Sequence, residues 1–166
     1  MSKRSVSTLV LLVGGICCVF GTAQAGEKAT KTDVEGWFEN GQTVVFGDVW
    51  LSGPIIHYRD FLYHWDQVAT DPRLEGDIFN EFNANLDMRT PFADGRMWGG
   101  IWLEQDGVRV WEGTWNGEYL NDIQLGNGVL HGVGIYEGLK VKMSFEQRPG
   151  YLIMDFEAVI LDPGGS

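Results

Sequence analysis

The sequence predicts an all-β domain, an antiparallel up-and-down β-barrel of about eight strands, and three observations carry that expectation. Val, Ile, Phe, Tyr and Trp recur in period-two alternation, and no window sustains an apolar i, i+3, i+4, i+7 stripe. Of 23 glycines, 20 lie from Gly26 onward, about twice the usual share, and they interrupt every would-be helix. Turn signals recur at short spacing, each supplying positive φ or a fixed φ where a hairpin needs it.

Taken in order, the strands are expected at 34–38, 42–52, 55–66, 74–87, 96–104, 108–118, 129–137, 139–147 and 151–161. Glu39-Asn40-Gly41 ends the first, Ser52-Gly53-Pro54 the second and Asp71-Pro72-Arg73 the third. Ala93-Asp94-Gly95, Gln105-Asp106-Gly107, Gly126-Asn127-Gly128 and Arg148-Pro149-Gly150 punctuate the rest. Several strands reach ten residues, and long strands in a meander favour a closed barrel over a flat sandwich.

Before this domain stands a segment of another kind. Lys3 and Arg4 precede an apolar stretch over 9–20, and Ala23-Gln24-Ala25 sets small residues at the usual cleavage spacing. This reads as a signal peptide over 1–25, too short in its apolar part to span a bilayer, with one barrel domain over 26–166. Secretion or a periplasmic location follows as an expectation. Ile16 and Cys17 precede Cys18, which disfavours a lipid-modified cysteine. Both cysteines leave with the leader, so cysteine nucleophiles, CxxC redox sites and thiolate metal sites are excluded from the exported domain.

The full chain carries a net charge of −11, and the leader holds two basic and no acidic residues, which leaves −13 from Gly26 onward. Nucleic acids and anionic membrane surfaces are poor partners for such a surface, because both recruit clustered Lys and Arg.

Alternation also assigns faces. Leu139, Val141, Met143 and Phe145 are expected inside, as are Leu152, Met154, Phe156, Ala158 and Ile160. Leu74, Ile78, Phe82 and Leu86 share a face with Asn80, which points inward among them. If 129–137 keeps Val129, Val133 and Ile135 inside, His131 and Glu137 join the interior. Buried polar groups of this kind need partners or a ligand. Glu137 and His131 are then the candidate catalytic residues, a carboxylate tuned by apolar surroundings and a proton shuttle, and Asn80 a ligand-binding residue. A turn-end Glu and a hydrogen-bonded core His are the plainer readings.

Trp98/Trp102 and Trp111/Trp115 each repeat at i, i+4 on expected hairpin neighbours. Each pair shares a face, and the four rings are candidate ligand-binding residues forming one aromatic patch, for barrel packing, for a subunit interface or for stacking sugar rings or an apolar cofactor. Glu112 faces out if Trp111 and Trp115 face in. His57 and His64 lie seven apart on one strand and point to opposite faces unless a bulge intervenes, so no metal site is expected from them. No cofactor is expected either.

Three segments add a resemblance: 71–76 (DPRLEG), 111–117 (WEGTWNG) and 132–139 (GVGIYEGL). Over roughly 71–160 the chain resembles the allene oxide cyclase barrel-like family, related in architecture to dirigent proteins and more loosely to calycin-type barrels. The resemblance implies an eight-stranded barrel with an apolar cavity that binds or cyclises hydrophobic substrates through a few polar groups. The plant cyclases use a buried Glu and a Cys, and the domain from Gly26 onward has no Cys.

Three functions follow for testing. The first is a secreted barrel holding a small hydrophobic molecule, with cyclase or isomerase activity as its enzymatic extension. The second is a carbohydrate-binding module using the Trp patch. The third is a structural envelope protein without a small ligand. A homo-oligomer is a further expectation.

Overall fold

Tight turns holding positive φ return each strand beside its predecessor. Asp106 (φ 52°) and Gly107 (φ 75°) turn one hairpin, and Asn121 (φ 52°) and Asp122 (φ 67°) turn the next, the pattern of two-residue loops that match strand twist. The computed structural model describes residues 29–150 and 153–164; the expected leader 1–25 and Leu152 lie outside the described residues.

Among the described residues nine strands follow in order: β1 (Thr30–Val45), β2 (Asp48–Ser52), β3 (Ile55–Ala69), β4 (Gly76–Asp87), β5 (Gly95–Gln105), β6 (Val108–Leu120), β7 (Ile123–Gly132), β8 (Lys140–Gln147) and β9 (Met154–Asp162). All neighbours are antiparallel. Pairing of β1 with both β9 and β3 closes an eight-stranded barrel, and β2 is an extra strand on the free half of β3. The expected barrel is observed.

Local chemistry moved several boundaries. Glu39-Asn40-Gly41 is an irregularity within β1, where Asn40 takes φ 56° and the register shifts, so the expected strand over 42–52 is divided between the end of β1 and β2. Gly126-Asn127-Gly128 is not a turn. It runs through the middle of β7, where a Cβ on Gly126 would lie 2.2 Å from Phe145 Cζ, so this glycine exists to admit a ring. The real turn, Asn121-Asp122, lacks glycine and was missed.

Correcting that turn also reverses a face. In β7 the buried positions are Gly126, Gly128 and Leu130, the last opposite Val141 on β8, so the even residues look inward and His131 is exposed on the outer wall. The chain then leaves the sheet: Val133 N–H donates to the Val110 carbonyl (2.8 Å), and Gly134–Tyr136 form a 3-10 turn whose C-cap is Glu137. Glu137 and Ile135 are exposed there. The inward placement of His131 and Glu137 is therefore corrected: His131 falls on the odd, outer face of β7, and Glu137 lies in the loop that follows the strand, where alternation no longer applies.

In β4, β8 and β9 parity held. Val141, Met143 and Phe145 are buried, as are Met154, Phe156, Ala158 and Ile160, and Ile78 with Ala84. One end of the barrel is plugged. Asp71 caps a 3-10 turn at Pro72–Leu74 through Arg73 N–H (2.9 Å), Leu74 is buried beneath it, and Trp111 stacks on Tyr136 (5.2 Å between centroids). Salt bridging to Arg73 holds the Asp71 carboxyl below its ordinary range. The opposite end is open. Beside it the end of β1, the two residues after it and β2 expose Val44, Val45, Phe46, Val49, Trp50 and Leu51.

Candidate functional site

The open end leads into a cavity of about 490 Å³. Strand alternation builds it: Tyr63 and Trp65 come from β3, Asn80 and Phe82 from β4, Gln124 from β7 and Gln147 from β8. Tyr63 pairs across from Asn80 and Trp65 from Ile78, so these four side chains form one inward panel. A void of about 20 Å³, the size of one water, continues inward between Trp65, Asn80 and Gln124.

Two atoms give this cavity chemical character. Trp65 Nε1 and Asn80 Oδ1 are buried and, among the described residues, have no hydrogen-bond partner. One is a donor only and the other an acceptor only, and leaving such groups unpaired costs about 1–3 kcal/mol each. Around them the wall is aromatic. Tyr63 meets Phe82 edge to face (5.6 Å), Tyr58 meets Phe82 in the same way (6.0 Å), and Phe82 stacks on Trp115 (6.3 Å). Burial pushes the Tyr63 hydroxyl above its ordinary pKa, against a hydrogen bond from Thr43.

At the rim, Tyr119 donates its hydroxyl to Asp122 Oδ1 (2.6 Å), and losing that proton would set two anions side by side. Its pKa is pushed up to about 12 from the ordinary 10.0, by the Asp122 bond first and by burial second. Because the folded-state value lies above the unfolded one, the stabilisation is complete below pH 10.0 and is lost as pH rises through about 12. An ultraviolet titration is expected to show one tyrosine ionising near 12, and in Asp122→Asn that transition should move down toward 10.0. An unchanged transition in the variant would assign it to another tyrosine.

Asn80 sits where parity placed it. The four tryptophans do not form one patch. With an uninterrupted ladder from the Asp106-Gly107 turn, Trp102 would face Trp111 and Trp98 would face Trp115. A bulge shifts the register between Leu103 and Glu104, so Trp111 faces Leu103 and Trp115 faces Gly99. One extra residue flips the face of everything beyond it. Trp111 (0% exposed) and Trp115 (3%) are consequently core residues whose Nε1 groups donate to the carbonyls of Arg73 (2.8 Å) and Glu81 (3.0 Å). Trp98 and Trp102 are outside. Arg59 lies over Trp98 (4.9 Å), while Trp102 is sandwiched between Phe79 (5.5 Å) and Arg109 (4.5 Å).

Sequence reasoning missed Trp65, Tyr63 and Gln124. The odd set Phe61, Tyr63, Trp65 was legible as an apolar face. A bulge at Asp60 (φ 60°), however, separates it from the even set Ile56 and Tyr58 on the same strand. That bulge also turns His57 and His64 to the same outer wall, about 20 Å apart along β3.

Fold and site together define a small closed antiparallel β-barrel with an aromatic cavity opening at one end. Comparison with protein-family models, curated proteins and solved structures gave no match.

Proposed function

We propose that the protein is an exported binding barrel that takes a small, uncharged, mostly apolar molecule into its open end. One observation carries the reading: a cavity of about 490 Å³ with an aromatic wall, in which a buried donor, Trp65 Nε1, and a buried acceptor, Asn80 Oδ1, have no partner among the described residues. The ligand's polar end accepts from the indole and donates to the amide, which recovers the cost of burying both. The tripartite pattern over 1–25 supports export.

Binding is favoured over turnover for a specific reason. Among the described residues no carboxylate or imidazole lines the cavity; its titratable groups there are the tyrosines Tyr58, Tyr63 and Tyr119. Of these, Tyr63 and Tyr119 have pKa values raised away from neutrality, which suits a general acid–base role poorly.

Titration with N-phenyl-1-naphthylamine, a fluorescent apolar probe that carries one N–H donor, tests this. The wild type is expected to take up one probe per barrel. Asn80→Leu should bind it several-fold more weakly while melting higher, since an unpaired buried amide has been removed. Trp98→Ala and Glu137→Gln lie outside the cavity and should bind as the wild type does. No uptake by the wild type, or loss on Trp98→Ala with none on Asn80→Leu, would overturn the cavity reading in favour of the outer aromatic surface.

A further inference from the structure

Four carboxylates stand in register on the outer wall. Glu39 of β1 is opposite Asp66 of β3, Asp66 is opposite Asp77 of β4, and Asp77 is opposite Glu104 of β5. Like charges directly opposite across strands destabilise a sheet. Among the described residues none of the four pairs with a Lys or Arg. Arg109, opposite Glu104, instead covers Trp102 and reaches Glu112 at 3.5 Å.

One rung along from Asp66, His64 leans into the centre of this row. Its Nε2 lies 2.8 Å from Asp77 Oδ1 and 3.9 Å from Asp66 Oδ1, and its side chain is only 14% exposed. The ring is held on both sides. It packs on Phe79 (4.9 Å), and Gln42 Nε2 donates to its Nδ1 (2.9 Å), which leaves the proton on Nε2, donated to Asp77. Asn40 fixes Asp66 through a 2.7 Å bond to Oδ2, leaving Oδ1 turned toward the imidazole.

We propose that His64 Nε2, Asp66 and Asp77 form a binding site for a divalent transition-metal ion. One ligand atom from each lies within 4.8 Å of the others. A metal with bonds of about 2.0–2.2 Å needs its ligand atoms about 3–4 Å apart, so small side-chain rotations suffice. The imidazole selects Zn²⁺ or a neighbouring transition ion over Ca²⁺ and Mg²⁺, which prefer all-oxygen shells. On binding, the imidazole changes tautomer: the proton leaves Nε2, Nδ1 becomes the N–H, and the Gln42 amide turns over so that its oxygen accepts from it. No net proton is released from the ring. Gln42 is thus the positioning residue that holds the ligand ring, and it also lines the cavity rim.

Zn²⁺ alone is the probe, titrated by calorimetry and followed by imidazole nitrogen NMR. One saturable site per chain is expected, with the His64 Nε2 signal moving to a metal-bound position and millimolar Ca²⁺ failing to displace the ion. His64→Ala and Asp77→Asn should abolish saturable binding, Gln42→Ala should weaken it about 10–100-fold, and Glu112→Gln should leave it unchanged. All four positions are on the barrel's outer wall or rim, so each variant's fold is checked by its melting transition. Absence of saturable Zn²⁺ binding would overturn the proposal. So would equal weakening by Glu112→Gln and His64→Ala, the signature of diffuse adsorption to an acidic wall. Neither result bears on probe uptake by the cavity.

Discussion

Phe156→Ala is expected to cost about 3–5 kcal/mol, a large part of the stability of a domain this size. Phe156 is 3% exposed and stacks on Phe38 (5.0 Å, 17° between planes). Phe38 in turn meets Phe145 edge to face at 6.1 Å. These three rings come from β9, β1 and β8, so the cluster ties the first strand to the last two across the seam that closes the barrel. Gly36, opposite Phe156 on β1, is part of the same device: a Cβ there would fall 2.5 Å from Phe156 Cζ and 2.1 Å from the Val68 carbonyl oxygen. Chemical denaturation should report a lower midpoint with an unchanged slope. The comparison is Phe46→Ala, at an 80% exposed ring, which should shift stability by no more than about 0.5 kcal/mol. A Phe156→Ala cost below about 1 kcal/mol would mean that the seam is not packed as described.

Trp111→Ala is expected to cost a similar 3–5 kcal/mol, and it tests the β5–β6 bulge directly. The indole is 0% exposed, stacks on Tyr136 and donates to the Arg73 carbonyl at 2.8 Å, so it joins β6 to both 3-10 turns at the closed end. Trp111→Phe keeps most of the apolar volume and removes the donor, so it should lose an intermediate amount, about 1 kcal/mol of it from the hydrogen bond. Trp98→Ala is the informative contrast. An uninterrupted ladder would place Trp98 and Trp111 on one face, where their truncation costs would be alike. With the bulge, Trp98 lies on the outer wall beneath Arg59 and its truncation should cost far less than that of Trp111. Equal costs would place the register shift elsewhere.

The barrel was legible in the sequence because its signals are local. Alternation in 139–147 and 151–161 put Val141, Met143, Phe145, Met154 and Phe156 on the correct face, and Asn80 shared the face of Ile78 and Phe82 as expected. Asp106-Gly107 was read as the hairpin it is, since the φ values it needs are a property of two adjacent residues. Of the candidate site's core panel, the β4 half, Ile78 and Asn80, was legible, and the β3 half, Tyr63 and Trp65, was not. His131 and Glu137 were assigned inward by carrying one parity through 129–137, and a strand that ends at Gly132 does not carry it.

Sequence alone determined the strand-rich class, the approximate strand count, the acidic surface and the inward faces of β4, β8 and β9. Period-two alternation and turn chemistry act over a few neighbouring residues, and they are written in the order of those residues. The tertiary structure alone decided the bulges at Asp60 and beside Val110, and with them which aromatic rings face the cavity and which face water. It also decided that Gly126 admits Phe145 rather than turning the chain, and that Trp65 and Asn80 meet in one cavity while His64, Asp66 and Asp77 meet on the wall outside it. A bulge is chosen by how two strands twist against their other neighbours around a closed barrel. That choice depends on residues far away in the chain, and a one-residue shift reverses every side chain beyond it.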